Sequence, residues 1–430
     1  MELLANDFVT IFKSSDPKNI YSGTPSICVL KNGRYVFSHD LFDKVEGPVS
    51  LENIASEVIP HPANGTYHVG QIYTSDDKGK TWQKRARRNL YHARVFEAGK
   101  FLYAIGHCGD IIIYRSDDGG DTWDMGHYLT EGEKWHASAT EPWIENGYVN
   151  LIMETSYNTP DEIRDGWNVS SLAPVVLRAK LTDDLTKKES WIFSNKVRFR
   201  DIIKEDELDL YGIPFFTTTL HKHEYSDGRT TDNMSGWLEA SVVRIKDKKH
   251  YWYDPSGKTL HIIMRAHTSW TGYACLMKAV ISEENGKEII TVMPEVNPSG
   301  KRVVYLPFPG GQMRFHILWD EETKLFWLLS TQATDSMTKK EYLSENRYNL
   351  PYDERHRMQL SFSKNLVDWC FAGMVAIGDD EKQSRHYASM QIDGNDIVLA
   401  SRSASPDGCS AHNADMATFH RIKDFRKLVY

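Results

Sequence analysis

His39, His107, Glu154, His221, Arg265, His267, Gln332 and Arg402 each stand at the end of a short apolar run, and such runs recur along the chain. Histidine takes up or gives a proton near neutral pH, and arginine grips a carboxylate through a fixed two-pronged fork. His92, His136, Arg178, Arg314 and His386 lie in neighbouring His- and Arg-rich segments. Brought together, these side chains make a basic, titratable pocket suited to an anionic substrate. Acid–base catalysis at a bond to oxygen often uses two carboxylates. Here Glu154 is the only acid at such a strand end, with Asp40 and Asp110 just beyond two others. The lack of a clean pair favours histidine chemistry, either hydrolysis or β-elimination. For elimination, His107, Tyr157 and Arg178 supply a base and a neutraliser for a substrate carboxylate. Any one of these residues can instead serve a neighbouring backbone. The pair in His221-Lys222-His223-Glu224 reads as a solvated strand or loop, and neither a metal nor another cofactor is expected.

What positions these residues is a succession of strands. Twelve Trp, 21 Tyr and 17 Phe make 12% of the chain, a proportion usual for sheets. Short β-type runs such as Tyr35–Ser38, Phe101–Ile105 and Ile111–Tyr114 alternate with turn residues. One unit is written twice. Ser75-Asp76-Asp77-Lys78-Gly79-Lys80-Thr81-Trp82 and Ser116-Asp117-Asp118-Gly119-Gly120-Asp121-Thr122-Trp123 share the pattern S-x-D-x-G-x-T-W, in which Asp and Gly build a tight turn and Trp covers the next strand. Decayed copies lead to Trp191 and Trp369. Seven units align around these turns, about 61 residues each. The expectation is an all-β chain, a single seven-bladed β-propeller over residues 1–430, with six blades as the alternative. The opening strand at Phe8–Phe12 is expected to complete the last blade with the C-terminal segment, which removes both free sheet edges. In such a ring the ends of equivalent strands converge on one face.

The repeated turn is the Asp box, and its copies resemble the sialidase-like β-propeller superfamily. Sialidases proper also carry Arg-Ile-Pro early in the chain; its absence here counts against a sialic-acid substrate. Longer segments resemble glycoside hydrolase family 145 and the related propeller polysaccharide lyases. These segments are Ser38-His39-Asp40, Gly106–Asp110, Lys134-Trp135-His136, Leu172–Ala179, Gly310–His316 and Ser384–Met390. The resemblance implies an exo-acting α-L-rhamnosidase that removes terminal rhamnose linked α-1,4 to glucuronic acid in arabinogalactan-type plant glycans, with His39 as its catalytic histidine. His92, His107, His136, Arg178, Arg265, His267, Arg314, His386 and Arg402 are then the expected substrate-binding residues. A lyase acting on the same linkage and a non-catalytic propeller that binds acidic glycans are the alternatives.

Against 51 Lys and Arg stand 59 Asp and Glu, a formal net charge of −8. That balance argues against a nucleic-acid partner, which requires a basic stripe. No apolar run approaches the roughly 20 residues of a membrane helix, so no membrane partner is expected. Met1–Asp7 shows neither the basic start nor the apolar stretch of a signal peptide. A periplasmic or extracellular location is implied by the family resemblance alone. Cys28, Cys108, Cys275, Cys370 and Cys409 are widely spaced and are expected to be free thiols.

Overall fold

A computed structural model describes residues 2–43, 58–137, 141–156, 169–203, 220–224, 230–234, 236–268, 271–339, 342–344 and 351–430. Its described strands form six blades around an axis, each an antiparallel sheet whose first strand is innermost. The inner strands are Ser26–Val29, Tyr91–Ala98, the pair Trp135–Ala137 and Trp143–Glu145, Gly236–Val243, His316–Asp320 and Arg385–Asp393. The expectation of seven units is corrected to the alternative of six. Among the described residues, the unit drawn around His221 is a hairpin, Leu220–Glu224 paired with Thr230–Met234. It precedes blade 4, and Trp237–Val242, read as its second strand, belongs to that blade's inner strand. The side chains of His221 and His223 lie outside the described residues.

Each blade is apolar on both faces because it packs between two others. Six buried clusters result, one at each successive junction. The cluster between blades 6 and 1 joins Ile27, Phe37 and Tyr73 to Val398, Ala417 and Phe419, and so closes the ring. Strand Val9–Lys13 pairs antiparallel with Met416–Ile422 and becomes the outermost strand of blade 6. Arg421 bonds Asp393 and Asp396 at 3.1 and 2.9 Å, and Tyr35 of blade 1 donates to Asp393 at 2.5 Å.

The two repeated turns share one hydrogen-bond set. Thr81 N and Oγ1 donate to Asp77 at 2.9 and 2.7 Å, Gly79 N donates to Ser75 Oγ at 2.9 Å, and Trp82 Nε1 donates to Gly79 O at 3.1 Å. Asp118, Gly120, Thr122 and Trp123 repeat these bonds. Gly79 and Gly120 have φ of 86° and 98°, a conformation that a side chain resists. In blade 1, Tyr35 pairs with Ser75 and Leu41 with Val69, so the turn lies at the opposite end of the blade from Asp40. The five cysteines are free thiols, three of them buried. No described helix is long and apolar enough to cross a membrane.

Candidate active site

Three inner strands, those of blades 2, 4 and 6, begin with a β-bulge. The register slips between Tyr91 and Arg94, between Leu238 and Ser241, and between His386 and Ser389. Inside each bulge one non-glycine residue has a left-handed backbone: His92 (φ 50°), Glu239 (φ 55°) and Tyr387 (φ 52°). This conformation costs about 1–2 kcal/mol per residue. A bulge re-aims a side chain that regular pleating would send elsewhere. In each case a charged side chain of the preceding blade holds the bulged backbone. Asp40 accepts from His92 N at 3.1 Å, Glu154 accepts from Ala240 N at 3.1 Å, and Arg314 donates to Tyr387 O. All six blades thus contribute to one cluster at the head of the axis.

At its centre Tyr387 donates its phenol proton to Glu239 Oε1 at 2.5 Å and accepts from Arg265 Nη1 at 2.7 Å. Arg265 also bonds Glu239 Oε2 at 3.1 Å and is fixed through Nε to Gln312 O at 2.7 Å. Burial pushes the Glu239 carboxyl up, but Arg265, the Tyr387 hydroxyl and His136 outweigh it and hold it below the usual carboxylate range. Burial raises the Tyr387 phenol, with Arg265 opposing. The pair is therefore a neutral phenol aimed at a charged acceptor. Arg402, Arg355 and Arg314 surround it, their guanidinium carbons 5.4, 5.7 and 5.8 Å from the Tyr387 ring centre.

Several buried guanidinium nitrogens have no hydrogen-bond partner among the described residues: Arg94 Nε and Nη2, Arg314 Nε and Arg402 Nε. Burial drives the Arg94 and Arg314 pKa values down, Arg314 to about 10, and the positive charge of Arg314 lowers Arg94 further. The acids Glu141 and Asp40 offset part of the charge on both guanidinium groups. On blade 3, His136 Nδ1 lies 2.8 Å from Glu154 Oε2, and the His136 side chain is 24% exposed. Burial works against its positive charge, yet Glu154 and Glu239 prevail and raise its pKa above the ordinary imidazole value. Burial also raises Asp40 to about 6. His92 and His107 touch at 3.3 Å and are held neutral, first by burial and then by neighbouring positive groups.

The structure brings His92, His107, His136, Arg265, Arg314 and Arg402 into or against this cluster. His386 lies just below it, with Nδ1 3.3 Å from Arg355 Nη1, and His267 packs against Tyr352 with 3.2 Å between Nε2 and the hydroxyl. Two expected residues are elsewhere. Arg178 stands on the flank of blade 3, bonded to Asn150 at 2.8 Å and to Glu288 of blade 4 at 2.6 Å, so it ties blades together. His39, the expected catalytic histidine, is fully buried among Phe12, Phe37 and Tyr73, with its nitrogens 2.8 Å from Ser22 Oγ and 3.3 Å from Gln71 Oε1. Burial lowers its pKa to about 3. Strand side chains alternate between faces, so the one-residue step from Asp40 sends His39 into the core. His39→Ala is expected to cost about 2–3 kcal/mol of stability, seen as a lower Tm, and to leave turnover per folded molecule unchanged. Sequence reasoning missed Arg94, Glu239, Arg355 and Tyr387; for Arg94, Glu239 and Tyr387 the signal available was a charged or phenolic residue inside a strand, whereas Arg355 lies ahead of the strand Arg357–Ser363. Tyr157 lies outside the described residues. No group of three His, Cys, Asp or Glu among the described residues is arranged to hold a metal.

No protein-family model and no curated protein sequence matches the chain. Among solved structures it is similar to a protein of unknown function from Dyadobacter fermentans DSM 18053 (TM-score 0.52, 12% identity, 97% of this chain and 98% of that one). It is similar also to the Hadza microbial sialidase Hz136 (TM-score 0.50, 12% identity, 97% and 68%) and to the NanB sialidase of Streptococcus pneumoniae (TM-score 0.50, 11% identity, 97% and 71%). At these identities the likeness is one of fold alone, that of a β-propeller.

Proposed function

We propose that the chain is a glycoside hydrolase acting beside a sugar carboxylate, with Tyr387 as its nucleophile. The observation that carries this reading is the Tyr387–Glu239–Arg265 constellation, built on two strained bulges at the head of the axis. A phenol can form a covalent glycosyl intermediate when a base takes its proton. A neutral phenol also suits an anionic substrate, since a carboxylate nucleophile would meet repulsion. The unbonded donors of Arg94 and Arg314 take the substrate carboxylate. Glu239 receives the Tyr387 proton as the phenol oxygen attacks the anomeric carbon, and Arg265 stabilises the charge that develops. His136, protonated and oriented by Glu154, gives its proton to the departing glycosidic oxygen. In the second half, water loses a proton to His136 and attacks the anomeric carbon. The sugar–tyrosine bond breaks, and Tyr387 regains its proton from Glu239.

The finer reading is removal of terminal rhamnose linked α-1,4 to glucuronic acid. It places a neutral sugar over Tyr387 and the glucuronate carboxylate over the arginines. Gum arabic, an arabinogalactan, tests it through the mass and ultraviolet absorbance of the products. Free rhamnose without an unsaturated uronate is the expected result. An unsaturated uronate moves the assignment to a lyase, and the absence of any product moves it to a glycan-binding propeller.

The charges around the site also set the pH profile of kcat, expected to be bell-shaped. Glu239 must be ionised, and its lowered pKa carries the acid limb below the usual carboxylate range. His136 must be protonated, and its raised pKa carries the alkaline limb above the ordinary imidazole range. Glu154→Gln removes the anion that raises His136, so the alkaline limb is expected to move to lower pH in initial-rate measurements.

A further inference from the structure

A cavity of about 590 Å³ lies between blades 4 and 5, at the end of the ring opposite Tyr387. Its position follows from the strand directions. Glu239 stands near the start of the inner strand Gly236–Val243, and Lys246 follows its end. The next strand, Thr259–His267, returns to the centre at Arg265. The cavity is lined by Lys246, Lys248 and Lys249 from the blade 4 turn and by Trp319, Lys324 and Lys364 from blade 5. Two acids, Asp247 and Glu321, also reach it. Lys246 bonds Glu321 and lies 3.4 Å from Glu145, while Lys324 pairs with Glu321 at 2.9 Å. Lys248, Lys249 and Lys364 have no ion pair among the described residues.

Five lysines against two acids line this one groove, in a chain whose net charge is −8. Trp319 is the aromatic residue of its lining, half-buried with Lys246 Nζ 5.3 Å from its ring centre and Phe326 packed against it. The turn is pre-formed. His250 Nε2 lies 3.0 Å from Asn365 O of blade 5, and Trp252 N donates to His250 Nδ1 at 2.9 Å. Spaced ammonium groups along one groove match the spaced carboxylates of a chain of uronate residues.

We propose that this groove is a second binding site, for a uronate-bearing stretch of polysaccharide remote from the bond that is cut. The choice of a glycan as ligand rests on the reading of the central site. The test is affinity electrophoresis in gels containing polygalacturonate. It uses the full chain carrying Tyr387→Phe, with and without Lys248→Glu, Lys249→Glu and Lys364→Glu. Retardation of the lysine-bearing chain, weakened about tenfold by the three substitutions, is the expected result. The same three substitutions on the otherwise unchanged chain are expected to leave hydrolysis of a small chromogenic glycoside as it was. No retardation, or retardation indifferent to the three lysines, overturns the proposal; so does equal lysine-dependent retardation by single-stranded DNA. Lysine-dependent binding in a protein that releases no sugar from gum arabic keeps the groove and sinks the hydrolase, so the two readings fail separately.

Discussion

Tyr387→Phe is expected to lower kcat by at least about 10³-fold on any substrate the chain hydrolyses, with KM and Tm little changed. The substitution removes one hydroxyl, which makes the 2.5 Å bond to Glu239 and the 2.7 Å bond to Arg265. The backbone strain at φ 52° is the same for Phe as for Tyr, and Arg314 still holds the bulge through the residue 387 carbonyl. Arg94, whose donors are assigned to the substrate, is untouched. Glu239→Gln is expected to fall in the same direction, since the amide accepts no proton. Initial rates, together with binding to the inactive variant, check the split between kcat and KM.

The second large effect is acid lability. His39 is held to about 3 and His68 to about 4, in both cases by burial, and His92, His107, His316, His386 and His412 are held well below the ordinary value. A histidine depressed in the folded state stabilises fully above its unfolded pKa near 6.5. That contribution is lost as pH falls toward the folded value. For His39 and His68 the cost at pH 5 is about 2 kcal/mol each relative to pH 7, and the other five act in the same direction. Asp40, raised by burial to about 6, acts in the opposite sense between pH 6 and its unfolded 3.8, and Glu141 and Glu154, also raised by burial, act with it, three carboxyls against seven histidines. His136 also opposes, because its raised pKa adds stability that is present below 6.5 and lost as pH rises. Calorimetry is therefore expected to show a flat Tm above pH 7 and a steep fall between pH 6.5 and 4. His39→Gln, despite its own cost at neutral pH, is expected to make that fall shallower.

The repeated turns were legible in the sequence because their bonds are local: Ser75, Asp77, Gly79, Thr81 and Trp82 satisfy one another within eight residues. His107, Arg265 and Arg402 were legible for a related reason, since each ends an apolar run and pairs across a bulged strand. Glu239 and Tyr387 were not, because their orientation depends on a slip in register that alternation does not encode. His39 and Asp40 differ by one step along a strand, and only the packing of Phe12 and Tyr73 against the imidazole settles which faces the core. The blade count erred at Leu220–Met234, a hairpin whose pattern matches that of a blade strand without the partners of one.

A glycosyl–Tyr387 intermediate requires two displacements at the anomeric carbon, and hence release of the sugar with its original configuration. Proton NMR of the first sugar released from gum arabic, recorded before mutarotation, reads this directly. The α anomer of rhamnose is predicted as the first product. The β anomer would contradict a covalent role for Tyr387, since inversion passes through a single displacement by water.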